Sequence, residues 1–401
     1  MNFLPAETTA HEHLGQSTPS LAALQRAYGC RCNSAVFFAN SHCLTCDTPL
    51  GYEPVLGRVL SLAPGSEPGT WNLAGPDLPE GKADLYRRCL NLDTPAACNW
   101  ILPVSDSGES YCIACRLNRR VPDLSIPEDA ILWGRVELAK RRVISACVAL
   151  GLPVASRVSE DPEHGLAFDF LRSPAEGPRV LTGHDNGLIT LNIEEADDVK
   201  REQMRTAMHE PYRTLVGHFR HEIGHYYWNR LVAESQWLEG FRDLFGDERM
   251  DYAEALNVNY QQGPKAGWAL EHVSAYASVH PWEDWAETWA HYMHMVDTLG
   301  TASGFGLEPA SMALPFDCFG PDVLYSHDSA DSERFLSFVN SWLKLTAVMN
   351  ELCRSMGQPD FYPFALARQA VTKLHFIHLV VCSASGRCDE APSAQLEPHY
   401  A

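Results

Sequence analysis

Long apolar runs are missing from this sequence. None approaches the roughly 20 residues that cross a bilayer as a helix, and the nearest, Val143 to Ala155, is too short. The N-terminus lacks a basic stretch followed by a continuous apolar one, so it does not read as a signal peptide. These absences make a cytoplasmic location the expectation, with no membrane partner. Positive charge is also scarce, with 31 Lys and Arg against 51 Asp and Glu and a formal net charge of -20. Phosphate backbones and anionic lipid surfaces require a basic face. Nucleic acid is therefore not an expected partner of the chain as a whole. Long internal repeats are absent too.

Cysteine is plentiful. Of 13 cysteines in 401 residues, eight fall between Cys30 and Cys115. In a reducing compartment such crowding points to metal before disulfide. Cys30, Cys32, Cys43 and Cys46 form two close pairs, and each pair on a tight turn can offer two sulfurs to one tetrahedral ion. Cys89, Cys98, Cys112 and Cys115 form a second set, with one short Cys-x-x-Cys knuckle. Both sets read as structural zinc, with rubredoxin-like iron as the alternative for the second, because four thiolates leave no position open for water. Arg87, Arg88, Arg116, Arg119 and Arg120 add local positive charge, which keeps a role in binding protein or nucleic acid open for this region despite the acidic whole. Cys147, Cys318 and Cys353 read as core thiols, and Cys382 and Cys388 as tail thiols.

The composition divides the chain into a flexible leader (1–27), a zinc-ribbon region with two cysteine clusters (28–121), a second domain (122–310), C-terminal helices packed on it (311–382) and a disordered tail (383–401). The stretch from Leu62 to Lys82, rich in Pro and Gly, reads as a loop between two small modules. A helix is predicted from Pro127, stopped at Gly151-Leu152-Pro153. Leu166–Leu171 and Leu188–Ile193 alternate like strands, and Asp185-Asn186-Gly187 before the latter signals a hairpin. A polar helix follows from about Glu194 to Met208. Another should open at Glu210-Pro211 and run to about Leu231. Later helices are predicted over Trp282–Leu299, Glu333–Met356 and Phe364–Val381. The resulting fold class is α+β: a small sheet, an active-site helix and a helical lobe, preceded by a zinc-ribbon-type β module.

The chemistry concentrates at His221-Glu222-Ile223-Gly224-His225. Two imidazoles four residues apart share one helix face and reach one ion. Zinc accepts such nitrogens and keeps a position open for water in catalytic sites. Glu222, beside that position, can take a proton from the water and return it to a leaving amine. A third ligand should come from downstream, and Glu283 is the preferred donor. Glu287, four residues later, shares its face and can hold the free ring nitrogen of a ligand histidine. Asp284, Glu287, Asp247 and Glu248 are the competitors for the third ligand. Trp282, Trp285 and Trp289 surround the acids, which argues against a merely solvated face. His218, His291 and His294 read as core or supporting groups. His184, beside the turn, could approach substrate.

These motifs resemble the gluzincin clan of metallopeptidases, in which the third ligand is a Glu on a later helix with an acid four residues on. The similarity extends to the anthrax lethal factor type, in which a tyrosine stands seven residues before the ligand Glu. Here that position is Tyr276, in Ser274-Ala275-Tyr276. The resemblance implies that Tyr276 donates a hydrogen bond to a developing oxyanion. Over roughly residues 30–310 the chain is similar to a bacterial family of zinc-binding metallopeptidases with an N-terminal zinc ribbon. The matching stretches include Cys98-Asn99-Trp100, Gly183 to Gly187, Tyr212 to Trp228 and His280 to Tyr292. The expectation is a peptidase acting on a peptide or protein, with one catalytic and one or two structural Zn2+, its extended substrate pairing with an edge strand near Leu188–Ile193. The resemblance thus makes 122–310 a zincin-like metallopeptidase domain; the alternative is a non-catalytic zinc-binding regulatory or interaction protein that uses its N-terminal ribbons to bind protein or nucleic acid.

Overall fold

The computed structural model describes residues 24–75, 85–106, 108–207, 212–314, 318–327 and 331–386. Among its described residues the first module is built of β-strands with two short 3-10 turns, Leu90–Asp93 and Cys115–Leu117. Strands β1 (Tyr28–Gly29) and β2 (Ala35–Val36) form a small antiparallel pair. Strands β3 (Leu50–Glu53), β4 (Arg58–Pro64), β5 (Thr70–Ala74), β6 (Tyr86–Arg88) and β7 (Ile101–Pro103) make a five-stranded antiparallel meander. The expectation of a loop over 62–82 is thus corrected. Leu62 is buried and pairs with Leu73, so the Pro- and Gly-rich composition marks the turns around a strand, not its absence. Phe38, Tyr52 and Trp100 pack edge-to-face and tilted at the centre of the module.

The leader is also shorter than expected. Leu24 and Arg26 are buried, and Arg26 reaches Asp297, 271 residues away. The remainder of the leader lies outside the described residues, as does the tail beyond 386, Cys388 included.

The second sheet has the order β10-β11-β9-β8, where β8 is Asn118–Arg120, β9 Ala167–Leu171, β10 Gly183–Asp185 and β11 Leu188–Asn192. Strands β8, β9 and β11 run parallel, and β10 folds back on β11. The hairpin turn sits where the sequence placed it. Asn186 and Gly187 both have positive φ, 45° and 83°, the pairing a two-residue type I′ turn requires. Gly187 is further constrained by space, since a Cβ there would lie 2.4 Å from the Gly165 carbonyl oxygen. The substrate-edge expectation needs correction, because β11 is interior and β10 is the edge. A parallel partner, β9, covers the side of β11 that a local reading left open.

Helix α1 (Pro127–Ala149) connects β8 to β9, starting with Pro in its first turn. Helices α2 (Asp198–Ala207), α3 (Leu215–Leu231), α4 (Leu238–Phe245), α5 (Tyr252–Gln262), α6 (Pro281–Gly304), α7 (Asp331–Ser355) and α8 (Arg368–Ala384) follow. A short 3-10 turn, Ile193–Ala196, precedes α2 and replaces the first turn of the predicted polar helix. Helix α3 begins at Leu215, later than Pro211, because Thr214 is its cap and accepts from the Gly217 N–H at 3.0 Å. Helix α8 likewise starts at Arg368 and not at Phe364. Of the three presumed core thiols only Cys147 is buried. Cys318 is exposed and Cys353 half-buried, whereas Cys382, assigned to the tail, is fully buried on α8.

The α3–α6 pair forms the spine of the second module. Gly224 makes it close: a Cβ there would sit 3.1 Å from Ala286 Cα and 3.1 Å from Trp289 Cδ1. The Trp285 indole N–H donates to the Gly224 carbonyl at 2.9 Å across this contact. A buried carboxylate, Asp297 on α6, draws in Arg26, Arg142 and Arg220 at 3.0, 2.9 and 2.9 Å. This node joins α1, α3, α6 and the segment leading into β1.

Candidate active site

Helix α3 presents His221 and His225 on one face, one turn apart. Their Nε2 atoms are 3.2 Å apart. Glu283, in the first turn of α6, brings Oε2 to 3.0 Å from the His221 Nε2 and 3.6 Å from the His225 Nε2. Tetrahedral zinc with ligands at 2.0–2.1 Å requires donor–donor edges of roughly 3.3 Å. The three donor atoms therefore fit one ion, and all lie within 4.8 Å of one another. Glu283 is buried, its Oε2 accepts no hydrogen bond among the described residues, and the His221 and His225 Nε2 atoms face it.

The start of α6 places Glu283. His280 caps the helix, its Nδ1 accepting from the Trp282 N–H at 3.1 Å while its Nε2 donates to the Met250 carbonyl at 3.1 Å. Pro281 fixes the first turn. The helix N-terminus also favours the acids there. Trp282 lies against the His225 ring, centroids 3.9 Å apart. The rings of His184, on edge strand β10, and His225 stack at 6.1 Å.

Glu287 lies beside His221, with Oε1 2.7 Å from Nδ1. An ionised carboxylate only accepts, so Nδ1 carries the proton and Nε2 is left to face Glu283. Ser274 donates to the other Glu287 oxygen at 2.6 Å. Burial alone would lower the His221 pKa, but Glu283 and Glu287 outweigh it and hold it well above the usual imidazole value. Such a field favours a cation. His184 behaves oppositely: burial, then the charges of His225 and Arg157, bring it down to about 3. Its Nε2 accepts from the Gly187 N–H at 2.8 Å, which fixes the ring in the neutral form.

Glu222, on the turn between the two histidines, is 9 % exposed. Tyr276 closes another side, its ring 6.0 Å from that of His221. The residue as a whole is 36 % exposed. Burial, then the charges of Glu283 and Tyr252, push its phenol far above the ordinary value, so it remains a proton donor.

The competitors for third ligand are engaged elsewhere. Asp284 pairs with Lys373 at 2.6 Å and His272 at 3.0 Å. Asp247 pairs with Arg249 at 2.7 Å, and Glu248 with Arg242. His218 pairs with Glu195, His291 hydrogen-bonds the Tyr362 hydroxyl at 2.5 Å, and the His294 ring packs among Tyr212, Trp342, Phe361 and Tyr362. Two supporting groups carry no motif in the sequence. Tyr252, on α5, donates to Glu283 Oε1 at 2.5 Å, and Ser274 holds Glu287. Only the position of Ser274, two residues before Tyr276, offered a signal.

Each cysteine set converges as well. Cys30 and Cys46 sulfurs are 3.6 Å apart, and Cys32 and Cys43 sulfurs 3.7 Å. In the second set Cys98 and Cys112 are 3.7 Å apart, and the Cys112 N–H points at the Cys89 sulfur at 3.4 Å. Zinc–sulfur bonds of 2.3 Å imply edges of about 3.8 Å, so both sets fit tetrahedral zinc. The first set is half exposed and the second wholly buried.

Residues 129–380 match the family model described as "Putative zinc-binding metallo-peptidase", and residues 27–126 match one described as a zinc-ribbon domain. Uncharacterized proteins of Mycobacterium bovis and Mycobacterium tuberculosis are 43% identical over 351 residues, covering 87% of this chain and 93% of theirs. No solved structure matches the chain.

Proposed function

The chain belongs to the zinc-binding metallo-peptidase family matched by residues 129–380, with a zinc-ribbon domain ahead of it, and we propose that it hydrolyses peptide bonds at a gluzincin-like centre on α3 and α6. The observation that carries this reading is the convergence of two imidazole nitrogens and a buried carboxylate oxygen, with Glu222 on the same helical turn. His221, His225 and Glu283 would hold the ion. Zinc there would supply a Lewis acid that polarises a scissile carbonyl and lowers the pKa of a water.

The chain's own groups do the rest. Glu222 accepts a proton from the attacking water and delivers it to the leaving amine. The Tyr276 hydroxyl donates to the oxyanion as the carbonyl carbon becomes tetrahedral. Glu287, steadied by Ser274, keeps His221 in the tautomer whose Nε2 faces the ion. Tyr252 fixes the orientation of Glu283 through its second oxygen. An extended substrate would lie along the free edge of β10, beside His184 and Trp282.

The test is Glu222→Gln. It removes the base and leaves the three ligands intact. Zinc content should match the wild type while cleavage of a peptide library falls by at least about 10²-fold, as expected for losing a general base. Wild-type rates in the variant would sink the mechanism.

A further inference from the structure

The helical lobe holds a second convergence of ligand-type side chains, remote in sequence from the α3–α6 centre. His378 and Cys382 stand four residues apart on α8, the spacing that His221 and His225 have on α3. Asp331, the first residue of α7, meets them from across the interface. Its Oδ2 is 2.7 Å from the His378 Nε2 and 3.7 Å from the Cys382 sulfur, and that sulfur is 3.6 Å from the same Nε2. All three residues are buried, Cys382 completely.

The other His378 nitrogen is engaged too. Nδ1 lies 3.0 Å from the Tyr292 hydroxyl on α6. When Nδ1 donates to that oxygen, the Nε2 lone pair points at the carboxylate and the thiol. This is the arrangement that supporting groups impose on metal-bound histidines. Without a metal, the ring and the thiol can each direct a proton at the Asp331 carboxylate; one divalent ion replaces both protons and engages all three donor atoms. Complete burial of the sulfur argues against a nucleophile, which needs access to substrate. The donor set of one thiolate, one imidazole and one carboxylate is that of a borderline-soft divalent cation and not of calcium or magnesium.

We propose that Asp331, His378 and Cys382 bind a further zinc-type divalent ion, which clamps α7 to α8 and is independent of the peptidase centre. Cys382 would bind as thiolate and release its proton to solvent on metal uptake. The site would be structural, tying α7 to α8 beside α6.

The test uses the full chain. Metal content is measured by mass spectrometry for the wild type, Cys382→Ser and His378→Gln, all purified from zinc-supplemented medium. Each variant should carry one equivalent fewer than the wild type. Glu222→Gln should not share that loss. An unchanged metal content in both variants would overturn the proposal. As a measurement that needs no substitution, the wild-type chain is loaded with cadmium-113 and its resonances recorded. A resonance from a site with a single sulfur should stand apart from those of the four-thiolate sets and of the sulfur-free α3–α6 centre. Its absence would equally reject the site.

Discussion

Glu283 and Glu287 are chemically alike and sit one helical turn apart, yet the geometry gives them different work. Glu283 Oε2 faces both imidazole Nε2 atoms, whereas Glu287 faces only the His221 Nδ1. Glu283→Ala should therefore remove the α3–α6 ion altogether, lowering the metal content by one equivalent. Glu287→Gln should retain the ion with affinity weaker by about 10–100-fold, the usual cost of losing an outer hydrogen bond to a ligand histidine. Competition with a chelator measures both, and equal losses in the two variants would reverse the assignment. Tyr276→Phe keeps the ring and deletes the donor. Its kcat should drop by about 10²–10³-fold with KM little changed, the cost of one oxyanion-hole donor; steady-state kinetics decides it. The sequence could bring His221, His225, Glu283 and Glu287 forward because each belongs to a short, fixed spacing along a helix, whereas Tyr276 came forward only through the family resemblance. Tyr252 and Ser274 were not, since their contacts depend on how the α5 and pre-α6 segments fold over the site.

At the scale of elements, the centre exists because α3 and α6 cross closely, and Gly224 permits the crossing. Ala286 backbone and the buried Trp289 ring stand where a side chain would grow. Gly224→Val should cost about 1–3 kcal/mol through overpacking, visible as a lower thermal midpoint. The same push should separate His225 from Glu283, so zinc affinity falls with stability; a variant as stable and as zinc-loaded as the wild type would show that the crossing can yield. The sequence announced α3 and α6 by their helical patterns, though without the Thr214 and His280 caps, and the β10–β11 turn by Asn-Gly. It did not announce that β11 is interior, because parallel pairing with β9 is a non-local choice. Cys382 was misplaced for a related reason: a stretch that reads as the end of a helix in isolation is packed on both sides by α6 and α7.

For the whole molecule, the deciding feature is the charge buried at Asp297. Burial would raise its pKa, but Arg26, Arg142 and Arg220 outweigh burial and hold it well below the usual carboxylate range. No local pattern predicts a node whose members lie in the lead-in to β1, in α1, in α3 and in α6. It is the tertiary fold that brings them together, and it couples the ribbon-bearing N-terminal module to the helical one. Asp297→Asn leaves guanidinium groups buried without their counter-ion, a change that costs about 3–5 kcal/mol when a buried pair is broken. The sign of the pH dependence follows from the depressed pKa. The carboxylate contributes fully above the unfolded value of about 3.9, and that contribution is lost as pH falls from there toward the folded value. Chemical denaturation of the wild type should therefore show stability declining below about pH 4, in part through this residue. Asp297→Asn, which has no carboxylate to protonate, should be less stable at pH 7 and show a shallower decline in acid. Coincident wild-type and variant profiles from pH 7 down to acid pH would mean that the node contributes nothing to joining the two modules.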